Sequence, residues 1–237
     1  HRKLHGNPEA RLSIPNFLLL ATVLLAAGCA EPPTAQQMEQ RCQSWRNYAR
    51  SKPADYVVQA GQIAASKVKV VSLRVPLEEF TRPRSPGEIA DARQELGIRS
   101  EEFAVGTITR LHDSKGNSYL VDAAARVVSQ RPTVRFFLVG EGPLRADLEA
   151  QAARLGLGSR FVFAGFRKDV AGTLSAFDLC VFPSLWEGTP LTVFETLAMG
   201  KPIVATDGDG LLELLTDRKE ALIGPKVRLP LASIEVL

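Results

Sequence analysis

From Phe103 onward the chain alternates short apolar runs with longer stretches whose apolar residues recur at helical spacing. Phe103–Thr109 is a β-branched apolar run and predicts a strand. In Gly116–Gln130, Leu120, Val121, Ala124, Val127 and Val128 share a helix face. Val134–Val139 predicts the next strand, ending at Gly140-Glu141-Gly142-Pro143. Leu144, Leu148, Ala152 and Leu155 outline a second helix, closed by Gly156. Further strands are predicted over Phe161–Ala164, Leu179–Phe182, Pro202–Ala205 and Ala221–Ile223. Helices over Asp169–Phe177, Pro190–Met199 and Leu211–Leu215 separate them. Such alternation means right-handed β-α-β units, so the fold class is α/β: a Rossmann-like parallel sheet with helices on both faces. Ligands of such sheets bind beyond the carboxyl ends of the strands. The informative loops are therefore those after Thr109, Val139, Ala164, Phe182 and Ala205.

The pattern before Phe103 is different. Residues 1–53 read as an N-terminal segment with one short hydrophobic stretch, and 54–99 as a linker and partial inter-domain region. Residues 100–226 form the α/β domain, and 227–237 are a tail. Within the first segment Arg2, Lys3 and Arg11 precede an apolar run from Phe17 to Ala27. A spanning helix needs ~20 apolar residues, so the run is too short to cross a bilayer. It matches the apolar region of a signal peptide, or else a buried helix. Ala26-Ala27-Gly28-Cys29 resembles a bacterial lipoprotein cleavage box, with Ala26 where leucine is usual. A short helix is expected around Gln36–Tyr48, a strand over Val68–Ser72, a Pro-rich linker over Arg82–Pro86 and a helix over Gly87–Leu96.

Composition narrows the function only a little. With 45% hydrophobic and 23% charged residues the chain is ordinary globular protein. The net charge of +3 arises from basic residues scattered among acidic ones, with few aromatics, so no nucleic-acid partner is expected. The three cysteines, Cys29, Cys42 and Cys180, lack metal-ligand spacing, and Cys180 sits in an apolar run as a buried thiol. No metal site is expected. Gly140-Glu141-Gly142 lacks the third glycine of a dinucleotide fingerprint. Asp207-Gly208-Asp209 spells an Asp-x-Asp metal motif, but a short motif needs supporting context and none accompanies it.

Two loops carry the candidate chemistry. After the first strand, Arg110 and Lys115 lie five residues apart around a turn that Gly116 closes. A diphosphate would meet Arg110 as a planar fork, Lys115 as a point charge, and the free N–H groups of a helix start. A solvated basic turn would have the same composition. After the fourth strand comes Glu187-Gly188-Thr189-Pro190-Leu191-Thr192, with Glu195 following in the helix. Thr189 is suited to cap that helix and Pro190 to open it. Gly188 admits a ligand close to the backbone. Ionised carboxylates only accept hydrogen bonds, which suits Glu187 and Glu195 to sugar hydroxyls beside a phosphate site.

Two glutamates with seven residues between them on a strand-to-helix turn resemble the signature of the retaining glycosyltransferases of family 4. The stretch "PSLWEGTPLTVFETLAMGKPIVATD" is similar to the family pattern along nearly its whole length, "RLHDSKG" resembles its phosphate-binding turn, and "VGEGPLRADLEAQAARLGLGSRFVFAGFRKDV" resembles the block between them. The likeness covers roughly residues 103–223, with a weaker continuation through "VPLEEFTRP". It implies the nucleotide-sugar-binding half of a two-domain B-type fold. It implies that Arg110 and Lys115 hold the donor diphosphate and stabilise the leaving nucleotide, and that Glu187 contacts the donor sugar. Backbone amides around Thr189–Thr192 would contact sugar and phosphate, Glu195 the ribose, and the loop Gly165–Asp169 would lie near the base. It implies hexosyl transfer with retention, without a metal or other cofactor. Residues 1–53 show no acceptor-domain pattern; the acceptor is expected to be a glycan or lipid-linked molecule. The donor half is expected to work with an acceptor domain on a partner chain; a non-catalytic nucleotide-sugar-binding module and a remnant domain on a lipoprotein are the alternatives. Nucleotide sugars imply a cytoplasmic location or the cytoplasmic face of the membrane, whereas acylation at Cys29 would imply export.

Overall fold

The computed structural model describes residues 77–225. The apolar run at Phe17–Ala27, the lipobox at Cys29, the helix at Gln36–Tyr48 and the strand at Val68–Ser72 lie outside the described residues, as does the tail 227–237. Two helices come first, α1 (Glu78–Thr81) and α2 (Pro86–Glu95). Ser85 and Glu88 cap α2 reciprocally: the Glu88 amide donates to Ser85 Oγ at 3.2 Å, and the Ser85 amide donates to Glu88 Oε2 at 2.8 Å. A helix was expected over Gly87–Leu96, inside a stretch read as linker and partial inter-domain region; Phe80, Leu96 and Ile98 are buried in one of the two cores that flank the sheet. The helices therefore pack as part of the domain.

Then follow β1 (Phe103–Ile108), α3 (Asn117–Gln130), β2 (Val134–Val139), α4 (Arg145–Arg154), β3 (Phe161–Gly165), α5 (Val170–Ser175), β4 (Leu179–Phe182), α6 (Leu191–Ala198), β5 (Ile203–Thr206), α7 (Asp209–Leu212) and β6 (Leu222–Gly224). The six strands form one sheet in the order β3-β2-β1-β4-β5-β6, with every pairing parallel. Alternate strand residues face opposite sides. Val105 and Phe136 join the core beneath α3 and α4, with Leu120, Val121 and Leu148. Ala104 and Phe137 join the opposite core with Leu174, Phe177 and Val193. Cys180 lies in that second core, where burial pushes its thiol up to about 12, so it is an inert packing residue.

The strand order reverses between β1 and β4. The chain runs from β1 outward through β2 and β3, then returns to build β4, β5 and β6 on the other side. Connections from β1 and β4 thus leave in opposite directions and open a crevice at their carboxyl ends. Beyond shifts of a residue or two at element ends, the helix starts beside the crevice differ from expectation. Helix α6 begins at Leu191, with Pro190 at its N-cap in an extended conformation (φ −76°, ψ 91°) and no side chain capping it, so Thr189 is not the cap. The brief last helix begins two residues early, at Asp209, because the turn starts directly after Gly208.

Candidate functional site

A cleft of about 370 Å³ opens at the reversal point. Its walls come from the loops after β1, β2, β3 and β4, and include Arg110, Lys115, Gly140, Phe166, Glu187 and Thr189–Thr192. The loop after β1 tightens into a 3-10 turn at Asp113–Lys115 and closes on Gly116, which is left-handed at φ 59°. A Cβ at Gly116 would stand 2.0 Å from the Pro183 carbonyl oxygen, so glycine is required both by conformation and by the close approach of the β4 loop. The Leu185 amide donates to the Ser114 carbonyl at 2.9 Å and ties the same two loops together. At the end of β2, Gly140 has φ 131°, and a Cβ there would lie 1.9 Å from the Thr109 carbonyl.

Within this frame the sequence-predicted residues divide. Arg110 is exposed on the cleft, and its guanidinium has no hydrogen bond or ion pair among the described residues. Its backbone is fixed: Asn117 Nδ2 donates to the Arg110 carbonyl at 3.1 Å. Lys115 points across the cleft and donates to both Glu187 oxygens at 2.6 Å. The two side chains are only 15% and 8% exposed, so the pair is largely withdrawn from water. Ser184 Oγ donates to Glu187 Oε1 at 2.6 Å. The Ser184 carbonyl accepts in turn from Thr206 Oγ1, at the end of β5.

Thr189, Pro190, Leu191 and Thr192 line the cleft. With no capping side chain on α6, its opening amides are available to an anion and the positive end of its dipole faces the crevice. Gly188 borders open space, with nothing within 4 Å of a Cβ placed on it. Behind it, Gly210 packs against the Glu187 and Gly188 carbonyls, where a Cβ would meet oxygens at 2.5 and 2.8 Å. Gly208, whose Cβ would lie 3.0 Å from the Ser184 carbonyl oxygen, and Gly210 thus back the Glu187 loop with a tight turn.

Glu195 does not line the cleft. It is half-buried on α6, which packs against α1. Burial, and secondarily the Glu79 carboxylate on α1, hold its carboxyl above the usual range. Ser184 and Asn117 carry positioning contacts that sequence reasoning did not select. The one available signal for Ser184 was its place three residues before Glu187 on the same turn.

Comparison with known proteins meets this geometry. The model for the family "Glycosyl transferases group 1" matches residues 102–232. The UDP-Gal:alpha-D-GlcNAc-diphosphoundecaprenol alpha-1,3-galactosyltransferase of Escherichia coli is 31% identical over 147 residues, covering 61% of this chain and 38% of its own length. The lipopolysaccharide core biosynthesis mannosyltransferase LpsB of Rhizobium meliloti (strain 1021) is 32% identical over 144 residues, covering 59% of this chain and 41% of its own. The chain therefore spans about 40% of the length of these curated relatives. Among solved structures, Anabaena Alr3699/HepE in complex with UDP and glucose superposes with a TM-score of 0.67 at 29% identity, over 77% of this chain and 50% of that one.

Proposed function

The chain belongs to the group 1 glycosyl transferases, and from that premise we propose that residues 100–226 bind a nucleotide-sugar donor for retaining hexosyl transfer. The observation that carries the reading is the convergence of Arg110, Lys115, Glu187 and the start of α6 on one cleft. The relatives' names supply the donor chemistry: one is a UDP-galactose transferase, and HepE holds UDP and glucose.

In this reading Arg110 takes the diphosphate as a two-pronged donor and Lys115 as a point charge. Both neutralise charge that grows on the departing nucleoside diphosphate, so they favour the transition state over the bound donor. The amides at the start of α6 add donors that need no reorganisation. Glu187 accepts from donor-sugar hydroxyls and so orients the anomeric carbon. Gly188 leaves room for the sugar against the backbone. Glu195, though set back from the cleft on α6, is assigned the ribose hydroxyls, and the loop from Gly165 to Asp169 the base. Two cations and a helix start replace the counter-charge a divalent metal would supply, so no metal is required. The acceptor, a glycan or lipid-linked molecule, comes to the open side of the cleft from an acceptor domain, on this or a partner chain. Use of a nucleotide sugar favours the cytoplasm or the cytoplasmic face of the membrane.

The test is isothermal titration of UDP, GDP, ADP and their glucose or mannose conjugates, with and without EDTA. Saturable binding of one nucleoside diphosphate series, unchanged by EDTA, is expected. Binding of none would sink the proposal, and binding abolished by EDTA would sink its metal-free form.

A further inference from the structure

Glu187 has two protein partners among the described residues, Lys115 and Ser184. They are not equivalent. Lys115 is a cation on a long flexible stem, facing the space where a donor diphosphate would enter. Ser184 is 3% exposed, and its backbone is pinned from behind by Thr206 Oγ1. The following amide, Leu185, is tied to Ser114 at 2.9 Å. Its hydroxyl therefore has a fixed origin, whereas the lysine can swing.

We propose that Ser184 is a positioning residue for Glu187: it holds the carboxylate toward the sugar when the donor's diphosphate draws Lys115 away. The inference rests on the donor-site reading above. A diphosphate competes with Glu187 for Lys115, because both offer anionic oxygens to the same ammonium. Once that contact is shared or lost, Glu187 would be a buried carboxylate on a loop with no orienting partner. The 2.6 Å hydrogen bond from Ser184 Oγ supplies one. It engages Oε1 and leaves Oε2 free to accept from a sugar hydroxyl, with the carboxylate still ionised. Removing the hydroxyl should then cost the sugar contact and leave the diphosphate contact in place.

The test is calorimetric titration of UDP and UDP-glucose into the wild-type chain, Ser184→Ala, Ser184→Cys, Glu187→Ala and the Ser184→Ala/Glu187→Ala double variant. Cysteine fills the serine's space with a much weaker donor, so it keeps the test decisive if the alanine variant does not fold. Both Ser184 variants should lose about tenfold in UDP-glucose affinity, the scale of a hydrogen bond to a charged group. UDP affinity should change by less than about twofold, well inside that scale. In the Glu187→Ala background, Ser184→Ala should have no further effect on either ligand, which a general structural role would not produce. Equal losses for both ligands, no loss of UDP-glucose, or an undiminished serine effect without Glu187 would overturn the assignment alone. If the wild-type chain takes another nucleoside diphosphate of the panel above, that diphosphate and its sugar conjugate replace these probes; a chain that binds none of the panel overturns the donor-site reading and this assignment with it.

Discussion

Lys115 Nζ lies 2.6 Å from both carboxylate oxygens of Glu187, so the residue assigned to phosphate and the residue assigned to sugar hold each other across the cleft. The pair makes their ligand affinities interdependent. Glu187→Gln removes a competitor for the lysine and a charged acceptor for the sugar. Free UDP should bind slightly tighter to this variant, and UDP-glucose about tenfold more weakly. Lys115→Ala should weaken both ligands by roughly 1.5–3 kcal/mol. It should also lower the melting temperature, because Glu187 is left largely buried without its counter-charge. Calorimetry at one fixed salt concentration measures all four affinities. Parallel changes in UDP and UDP-glucose for Glu187→Gln would show that the glutamate serves the lysine only.

Gly116 and Gly188 both flank the cleft but should respond oppositely to alanine. At Gly116 the added Cβ meets the Pro183 carbonyl at 2.0 Å, in a left-handed conformation. Gly116→Ala should therefore push the two charged loops apart, lower stability by more than about 1 kcal/mol and abolish nucleotide binding. At Gly188 the Cβ meets no protein atom within 4 Å. Gly188→Ala should leave the melting temperature unchanged and weaken only nucleotide sugar, if a sugar approaches that backbone. Denaturation midpoints and titrations of the two variants decide this.

The contrast between these glycines indicates what the sequence could and could not reveal. Strands β2 and β4 fall on the expected residues, because short, largely apolar runs bounded by proline, glycine or charge suit strands buried on both faces of a parallel sheet. Arg110, Lys115 and Glu187 could be assigned to one cleft because the alternation of elements dictates which loops lie at the carboxyl ends. Their mutual pairing could not. Lys115 and Glu187 are 72 residues apart in the chain, and whether they face each other depends on the packing of Gly116 on Pro183. Thr189 fits the cap pattern as a threonine before a proline, but the extended backbone at Pro190 puts the cap one residue on. Ser184 and Asn117 act through single hydrogen bonds, which leave no periodic trace.

Glu102 provides a control at the opposite end of the sheet. It precedes β1, is 3% exposed, and binds Arg135 at 2.9 Å and Arg99 at 2.7 Å. Its burial opposes ionisation, but the Arg99 amide and the Arg135 and Arg99 guanidinium groups outweigh this and lower its carboxyl below the ordinary value. Glu102→Ala leaves Arg135, 13% exposed, with a poorly compensated charge. Loss of about 3–5 kcal/mol of stability is expected, the scale of a broken buried pair. UDP affinity measured well below the melting transition should not change. A variant that lost binding while remaining folded would mean that the two ends of β1 are coupled.

Glu195 gives the sharpest test, because stability and binding should move in opposite directions. Its carboxyl is raised first by burial and then by Glu79. As pH rises, the unfolded chain releases this proton before the folded one does. Below the ordinary carboxylate value of about 4.3 both states are protonated and the group costs nothing. Above the raised value the folded protein carries the full penalty of an ionised, half-buried carboxylate. Glu195→Gln should therefore raise the melting temperature near pH 7.5, and the gain should fade as the pH is lowered toward 4. The ribose assignment demands the reverse for ligands. Glutamine offers one acceptor oxygen and a donor NH₂ where two ribose hydroxyls seek a carboxylate. UDP and UDP-glucose should both bind about tenfold or more weakly, a loss of roughly 1.5–3 kcal/mol. That equal loss distinguishes Glu195 from Glu187, whose replacement should weaken the sugar conjugate alone. Thermal scans at the two pH values, with titrations at one ionic strength, measure both effects. Higher stability with unchanged nucleotide affinity would remove Glu195 from the site and leave it as a desolvated carboxylate between α6 and α1.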